Sequence, residues 1–326
     1  VNDVTVGGNL NAKAVNITAQ NISAGGNAAL NAETALTAQN ISAGSDLDAK
    51  AVNITAENIT AGGNAMLNAG TDLFANNVNV NGDASIAAGM NLTAHDVNVG
   101  GNLNAKAQNI TANNVTNKGN AVLTADKDVT LAGGISAKRN AQLTAGENAT
   151  LGGKTDVGET LTAHVGKDFT ANDAVTTGAD FTAIVGNDTV TNGIVTTSGA
   201  LKWNVGNDLT AHAAVLSHGT TTIDAQNVNL NADLMSDKNL AITAKDNIIT
   251  KEGTNLSTKA DGTLKARTVG FGGDVHADGT LTIETDEQLA AKNITAGGDA
   301  VLTPGTDITV NDVTVGGNLN AKAVNI

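Results

Sequence analysis

A repeat of about 19 residues runs through this chain and limits the folds that it can adopt. Each unit opens on a turn such as Gly-Gly-Asn or Gly-Ser-Asp, as at Gly7, Gly25 and Gly44, and equivalent positions recur as far as Gly316. Within a unit, short apolar runs alternate with polar residues at a period of two, which predicts strands and not helices. Asn and Gly, which suit turns, separate the runs.

Strands of three to five residues cannot bury a face alone, but coils stacked on one another can. We therefore predict an all-β fold: a right-handed parallel β-helix (solenoid) of about sixteen coils of about 19 residues, with three strands in each coil. The inward positions of the first strand pair one Ala with one large apolar residue, as in Ala28 and Leu30, so the core volume stays roughly constant. One unit is longer, which predicts an extra loop within 246–257.

Composition excludes several classes of protein. Aromatic residues make up 2% of the chain, hydrophobic residues 40% and charged residues 15%, which indicates a narrow core and argues against disorder. There is no Cys, so disulfides and thiolate metal sites are excluded. The net charge of −14 makes a nucleic-acid partner improbable. No apolar run reaches the roughly 20 residues of a membrane span.

Residues 1–17 recur without a change as residues 310–326. The short repeat is therefore nested in a module of 309 residues. We predict a single continuous β-solenoid over 1–326, made of one module (1–309) and the start of the next (310–326). We expect it to be uncapped at both ends and to be part of a longer filament, with identical modules of the same chain as neighbours. Lateral association with other fibres is a further possible contact.

Two stretches carry a resemblance to a known family. They are Gly-Gly-Asn-Leu-Asn-Ala-Lys-Ala-Val-Asn-Ile-Thr-Ala, from Gly7, and Gly-Asn-Ala-Val-Leu-Thr-Ala-Asp-Lys-Asp-Val-Thr-Leu, which follows Lys118. They resemble the haemagglutinin repeats of filamentous haemagglutinin-type exoproteins, and the resemblance extends over essentially the whole chain. It implies a right-handed β-helical fibre, secreted to the cell surface of a Gram-negative bacterium through an outer-membrane two-partner-secretion transporter.

The resemblance also implies a function. Such fibres serve adhesion, cell–cell contact or biofilm formation, or act as the stalk of a contact-dependent toxin-delivery protein. Residues 1–326 match the repeats, and we expect the family's N-terminal secretion domain and any terminal effector to lie outside them. Our first hypothesis is a stiff, multivalent structural filament, and the alternative is an adhesin face that binds a receptor or glycans on a host or neighbouring cell.

Threonines recur at one outward position of the second strand. They are Thr18, Thr37, Thr55, Thr93, Thr111, Thr130 and Thr150. A column of hydroxyls on a flat face could bind carbohydrate or ice. The alternative is that Thr simply suits an exposed strand position.

Asparagines recur near the corners, and several lie in the sequence Asn-x-Ser/Thr. We consider these as glycosylation sites: Asn16, Asn21, Asn40, Asn53, Asn58 and Asn293. The alternative is that their side-chain amides stack and hydrogen-bond along the solenoid. Both interpretations stay open at the level of sequence.

Nothing in the sequence predicts catalysis, a metal site or a cofactor. The five His residues fall in different coils without the close spacing of a zinc site. Only Arg139 and Arg267 supply guanidinium groups, and Trp203 occupies an inward position, so it is expected in the core and not on a sugar platform. We expect a protein that is not an enzyme.

Overall fold

Short strands that pair in parallel with strands one coil away build the whole of the computed structural model, which describes residues 2–325. These residues contain no helix, and the predicted all-β parallel solenoid is confirmed. Its turns number about 17, against the sixteen predicted. The handedness stays a prediction. The chain divides into two units, residues 1–159 (unit 1) and residues 160–326 (unit 2), which are described separately.

The strands of unit 1 are β1 (Asp3–Val6), β2 (Leu10–Ala24), β3 (Ala28–Ala43), β4 (Leu47–Ala51), β5 (Asn53–Ala61), β6 (Ala65–Ala69), β7 (Asp72–Val80), β8 (Ala84–Ala88), β9 (Asn91–Val99), β10 (Leu103–Ala107), β11 (Asn109–Asn117), β12 (Ala121–Ala125), β13 (Val129–Leu131), β14 (Ile135–Ala137), β15 (Ala141–Ala145), β16 (Ala149–Leu151) and β17 (Thr155–Val157).

The strands of unit 2 are β18 (Leu161–Val165), β19 (Phe169–Ala171), β20 (Val175–Thr177), β21 (Phe181–Val185), β22 (Thr189–Thr191), β23 (Val195–Thr197), β24 (Leu201–Val205), β25 (Asp208–Ala211), β26 (Val215–Ser217), β27 (Thr221–Leu230), β28 (Leu234–Ser236), β29 (Leu240–Thr250), β30 (Leu256–Thr258), β31 (Gly262–Ala266), β32 (Thr268–Phe271), β33 (Asp274–Ala277), β34 (Leu281–Thr285), β35 (Leu289–Ala296), β36 (Ala300–Pro304), β37 (Ile308–Val315) and β38 (Leu319–Ala321).

The prediction of three separate strands in each coil holds for only part of the chain. The coil of β12, β13 and β14 has three separate strands, whereas β11 runs through the corresponding corner without a break. The reason is the length of that corner. Two residues lie between the inward Ala112 and Val115 of β11, but three lie between Leu131 and Ile135, and the added residue interrupts the pairing.

Large and small apolar side chains alternate between successive coils of unit 1. Ala28 pairs with Leu47, and Leu30 pairs with Ala49. All four side chains are buried. Each Leu therefore lies over a methyl group of the neighbouring coil, which keeps a narrow core densely packed. The predicted inward positions are confirmed for these coils.

The core of unit 2 contains rings and hydroxyls. Phe181 contacts both Phe169 and Trp203 edge to face, and all three are buried, so the inward position predicted for Trp203 is confirmed. A buried column of hydroxyl side chains follows the third strand: Thr177, Thr197, Ser217, Ser236 and Thr258. These hydroxyls donate to carbonyl oxygens of the adjacent turns, as Thr177 does to Ala179 O at 2.8 Å.

Several apolar side chains are exposed in the first and last described coils. Val15 is exposed in β2, and Val313, Leu319 and Val324 are exposed near the other end. Among the described residues, no helix is long and apolar enough to cross a membrane.

The extra residues predicted within 246–257 form a tight turn at Lys251–Thr254. Gly253 has a φ of +79° there, and the N–H of Thr254 donates to Lys251 O at 3.0 Å. Lys251 and Glu252 are exposed, whereas Thr254 is buried. The turn therefore lies against the coil and forms no projecting loop.

Gly253→Ala should lower stability because an L-residue with positive φ costs about 1–2 kcal/mol. Gly270→Ala is the matched control, since a Cβ at either position meets no atom within 4 Å and only Gly253 has positive φ. Thermal unfolding followed by circular dichroism should give a lower Tm for Gly253→Ala than for Gly270→Ala. Equal Tm values for the two variants would contradict the strained turn.

Candidate binding site

The predicted threonines do form one column on the outside of unit 1. Coil by coil, the residues in register are Thr18, Thr37, Thr55, Phe74, Thr93, Thr111, Thr130 and Thr150. Neighbouring members lie one rung apart, about 4.8 Å in a parallel sheet. The geometry of the column is confirmed, and its use in binding stays a prediction.

Phe74 interrupts the threonine column, and the sequence analysis missed it. Its side chain is 36% exposed, whereas Phe169, Phe181, Trp203 and Phe271 are buried. It is thus the only exposed Phe or Trp side chain within 2–325. The signal was available in the sequence, because the threonines skip one coil between Thr55 and Thr93.

The ring of Phe74 is held from one side by His95. The two ring centroids lie 6.0 Å apart at an interplanar angle of 73°, an edge-to-face contact. His95 Nδ1 lies 3.5 Å from Asn113 Nδ2 in the next coil. Thr55 and Thr93 flank Phe74 in the rungs before and after it.

A second column of polar side chains lies two residues before the threonine column. We call Asn53, Asp72, Asn91 and Asn109 the polar rail. Asn91 Nδ2 donates to Asp72 Oδ1 at 2.8 Å, and Asn109 Nδ2 donates to Asn91 Oδ1 at 3.0 Å. The rail is therefore ordered by bonds between coils.

Phe74 and the first three residues of the polar rail border a shallow depression of about 560 Å³. It is lined by Asn53, Ile54, Thr55, Asp72, Leu73, Phe74, Asn91 and Thr93. An exposed ring therefore lies beside amide, carboxylate and hydroxyl groups on one face.

A different set of asparagines forms an amide ladder at the second corner of unit 1. Asn21 Nδ2 donates to Asp3 Oδ1 at 2.6 Å, and Asn40 Nδ2 donates to Asn21 Oδ1 at 2.6 Å. Asn58 and Asn77 continue the ladder at 2.7 Å each. Every donor lies in the later coil and every acceptor in the earlier one. The predicted stacking of amides is confirmed here.

The candidate glycosylation sites fall into two groups in the structure. The side-chain nitrogens of Asn21, Asn40 and Asn58 are hydrogen-bond donors in the amide ladder, and Asn293 Nδ2 donates to Asp274 Oδ1 at 2.8 Å. Asn16 and Asn53 are exposed. A glycan on Asn21, Asn40, Asn58 or Asn293 would compete with the hydrogen bond that its side-chain nitrogen donates. Glycosylation itself stays a prediction.

A third ladder, which we call the turn ladder, follows the Gly-Gly-Asn turns and their Gly-Ser-Asp and Asn-Gly-Asp equivalents. The N–H of Asp46 donates to Asn27 Oδ1 at 3.1 Å, and the N–H of Asn64 donates to Asp46 Oδ1 at 2.8 Å. Asp83 and Asn102 continue the pattern at 2.8 and 2.7 Å. These turns border an open groove of about 650 Å³, whose lining includes Met66, Asp48 and Ser85.

Charged side chains pair between coils in unit 2. Asp237 accepts hydrogen bonds from His218 Nδ1 and Lys259 Nζ, each at 2.6 Å. The bond from His218, followed by that from Lys259, lowers the pKa of Asp237, and the bond to Asp237 raises the pKa of Lys259. Arg267 contacts Glu287 at 3.1 Å and Asp246 at 3.4 Å; the Glu287 contact is the main cause that raises the pKa of Arg267.

Two further histidines each contact one polar side chain. His212 Nδ1 lies 2.8 Å from Asn231 Nδ2, and His276 Nε2 lies 2.7 Å from Asp278 Oδ1. Within the part of the chain that the structure describes, no three His, Asp or Glu side chains form a group that could hold a metal ion.

Asn40→Asp should destabilise the amide ladder at neutral pH. The new carboxylate still accepts from Asn58, but it has no proton to donate to Asn21, and such a loss costs about 1–3 kcal/mol. A protonated carboxyl can donate, so its pKa in the folded state rises above the unfolded value of about 4. Its stabilising bond is then present below the unfolded pKa and is lost as pH rises through the folded pKa.

The free energy of unfolding in urea at pH 7 and at pH 4 measures this effect. We expect the deficit of Asn40→Asp relative to the unsubstituted protein to shrink at the lower pH. The exposed Asn98 provides the control, because Asn98→Asp should show a small difference at both values. A deficit for Asn40→Asp that is equal at the two pH values would exclude the ladder bond to Asn21.

Comparison with protein-family models, with curated proteins and with solved structures returned no match for this chain.

Proposed function

We propose that this chain is the structural repeat region of a long extracellular bacterial fibre. In this proposal it forms a stiff filament that presents the same surface many times, for adhesion, cell–cell contact or a biofilm matrix. The fibre leaves a Gram-negative cell through an outer-membrane two-partner-secretion transporter, as the resemblance to filamentous haemagglutinin-type repeats implies. Its work is mechanical and not enzymatic.

The observation that carries the proposal is how the two copies of the repeated 17-residue segment pair. In the first copy, Val4 pairs with Ile22 and Leu10 pairs with Ala28, so the segment bonds to the coil that follows it. In the second copy, Val313 pairs with Ile294 and Leu319 pairs with Ala300, so the segment bonds to the coil that precedes it.

One and the same sequence thus pairs with a following coil at one position and with a preceding coil at the other. A coil of this sequence inside a tandem array needs both kinds of neighbour. Module-to-module stacking then requires no contact beyond those already formed within each unit. This supports a covalent array of modules of 309 residues.

The surface chemistry also suits a filament in water. The outward columns are mostly Asn, Asp and Thr, and the net charge of −14 for each such chain opposes collapse of one fibre onto another. Among the described residues, the ladders of unit 1 engage many of these polar groups along the stacking direction. Stiffness and solubility therefore come from the same residues.

The native polypeptide in the producing bacterium tests the proposal. An antibody raised against residues 1–326 should detect a denatured chain many times larger than the 32.4 kDa of this sequence, in the medium or sheared from the cell surface. Deletion of the cognate outer-membrane transporter should retain that chain inside the cell. A chain near 32.4 kDa, or one that stays in the cytoplasm of the unmodified strain, would overturn the proposal.

A further inference from the structure

We propose that Phe74 and the polar rail form a binding site for a neutral, linear saccharide. The proposal rests on the ring, the depression beside it and the hydrogen-bonding groups that line it. It goes beyond the proposed function, because a fibre could be stiff and multivalent with any outward residue at this position.

Phe74 is a fixed apolar platform. Its ring is exposed in a column that is otherwise threonine through unit 1, and its edge-to-face contact with His95 restrains its tilt. A pyranose has a face of C–H groups that packs on such a ring, since the C–H bonds are polarised towards the electron-rich face of the aromatic system. The fold does not require a ring at this position, because Thr occupies the same place in the other coils of unit 1.

The groups around the ring match sugar hydroxyls. Asp72 offers carboxylate oxygens as acceptors, and Asn53 and Asn91 each offer an amide that can donate and accept. Residues two apart on a strand have Cα atoms about 6.6 Å apart. The polar rail therefore runs parallel to the column of Phe74, close enough for one sugar ring to contact both. Thr55 and Thr93 add hydroxyls in the rungs before and after Phe74.

The direction of the depression favours a linear chain. Its lining comes from three successive coils, at Asn53–Thr55, Asp72–Phe74 and Asn91–Thr93. Three rungs at about 4.8 Å place similar polar groups at regular steps along the stacking direction. A linear saccharide on the ring of Phe74 would therefore reach an Asn and a Thr in the rung on either side.

Charge selects a neutral ligand. The lining contains Asp72 and no Lys or Arg, so a sulfate or a uronic acid would meet a carboxylate with no cation beside it. A protein partner fits less well, because protein interfaces centre on clusters of large apolar residues and this face has one ring.

Ring-selective ¹H–¹³C NMR of the full chain, with labelled Phe, tests the site. The probes are cellohexaose and chitohexaose, with a heparin hexasaccharide as the acidic comparison. We expect at least one neutral probe to shift the Phe74 ring signals saturably, with a Kd on the order of 1 mM, and to leave the buried Phe169 and Phe181 signals in place.

Phe74→Thr is the matched variant, because it restores the residue found at the same column position in the neighbouring coils. It should keep the Tm of the unsubstituted protein and weaken the probe at least tenfold, measured by saturation transfer to the saccharide. Phe74→Trp keeps a platform and should retain binding within about threefold, a difference of less than 1 kcal/mol.

Three results would overturn the site. They are no shift from either neutral probe at roughly 10 mM, where a millimolar site would be mostly filled, equal binding by Phe74→Thr, and tighter binding of the heparin fragment than of the neutral probes. None of these results bears on the mass or location of the native chain, so they leave the fibre proposal unchanged.

Discussion

A short strand cannot satisfy its own backbone, so each coil of this protein depends on the coil before it and the coil after it. Parallel pairing places equivalent residues directly over one another, about 4.8 Å apart. Each outward side chain must therefore be compatible with an equivalent side chain in the coil before it and in the coil after it. Identical charges would repel at that distance, and in the turn ladder of unit 1 the acidic residues alternate with amides, as Asp46, Asn64 and Asp83 do. Where acids occupy successive rungs in unit 2, an amide lies against them, as Asn187 does against Asp168 at 2.6 Å.

The same constraint explains why one odd residue can make a site. A column of threonines is uniform, and a uniform surface offers no place that differs from the next. Phe74 breaks the uniformity without disturbing the pairing, because its neighbours Leu73 and Ala75 remain buried in the core. The regular strand pairing thus determines the rung and the face on which a changed side chain lies. One changed residue is therefore enough to distinguish the proposed saccharide site from the rest of the threonine column.

The sequence predicted the fold because its period is the physical repeat of the structure. It also placed the threonine column and the inward Ala and Leu positions, since alternation at a period of two separates the faces of a strand. The alternation of apolar and polar residues does not reveal which polar side chains are buried. Thr177 and Thr197 are polar yet buried, because their hydroxyls bond to the carbonyl of Ala179 in the adjacent turn. The depression at Phe74 depends on side chains from three coils, which a list of single positions does not bring together.

The side-chain bonds between coils of unit 1 run mostly one way, and Asn140 Nδ2, which donates to Glu159 Oε2 of the following coil at 2.9 Å, is an exception. In the amide ladder the donor Asn40 belongs to the later coil and the acceptor Asn21 to the earlier, and in the turn ladder the N–H of Asp46 donates back to Asn27. In these two ladders the earlier coil therefore presents acceptors, and the later coil presents the donors that match them. The two faces of a coil thus differ in these ladders, and only head-to-tail stacking matches donors with acceptors.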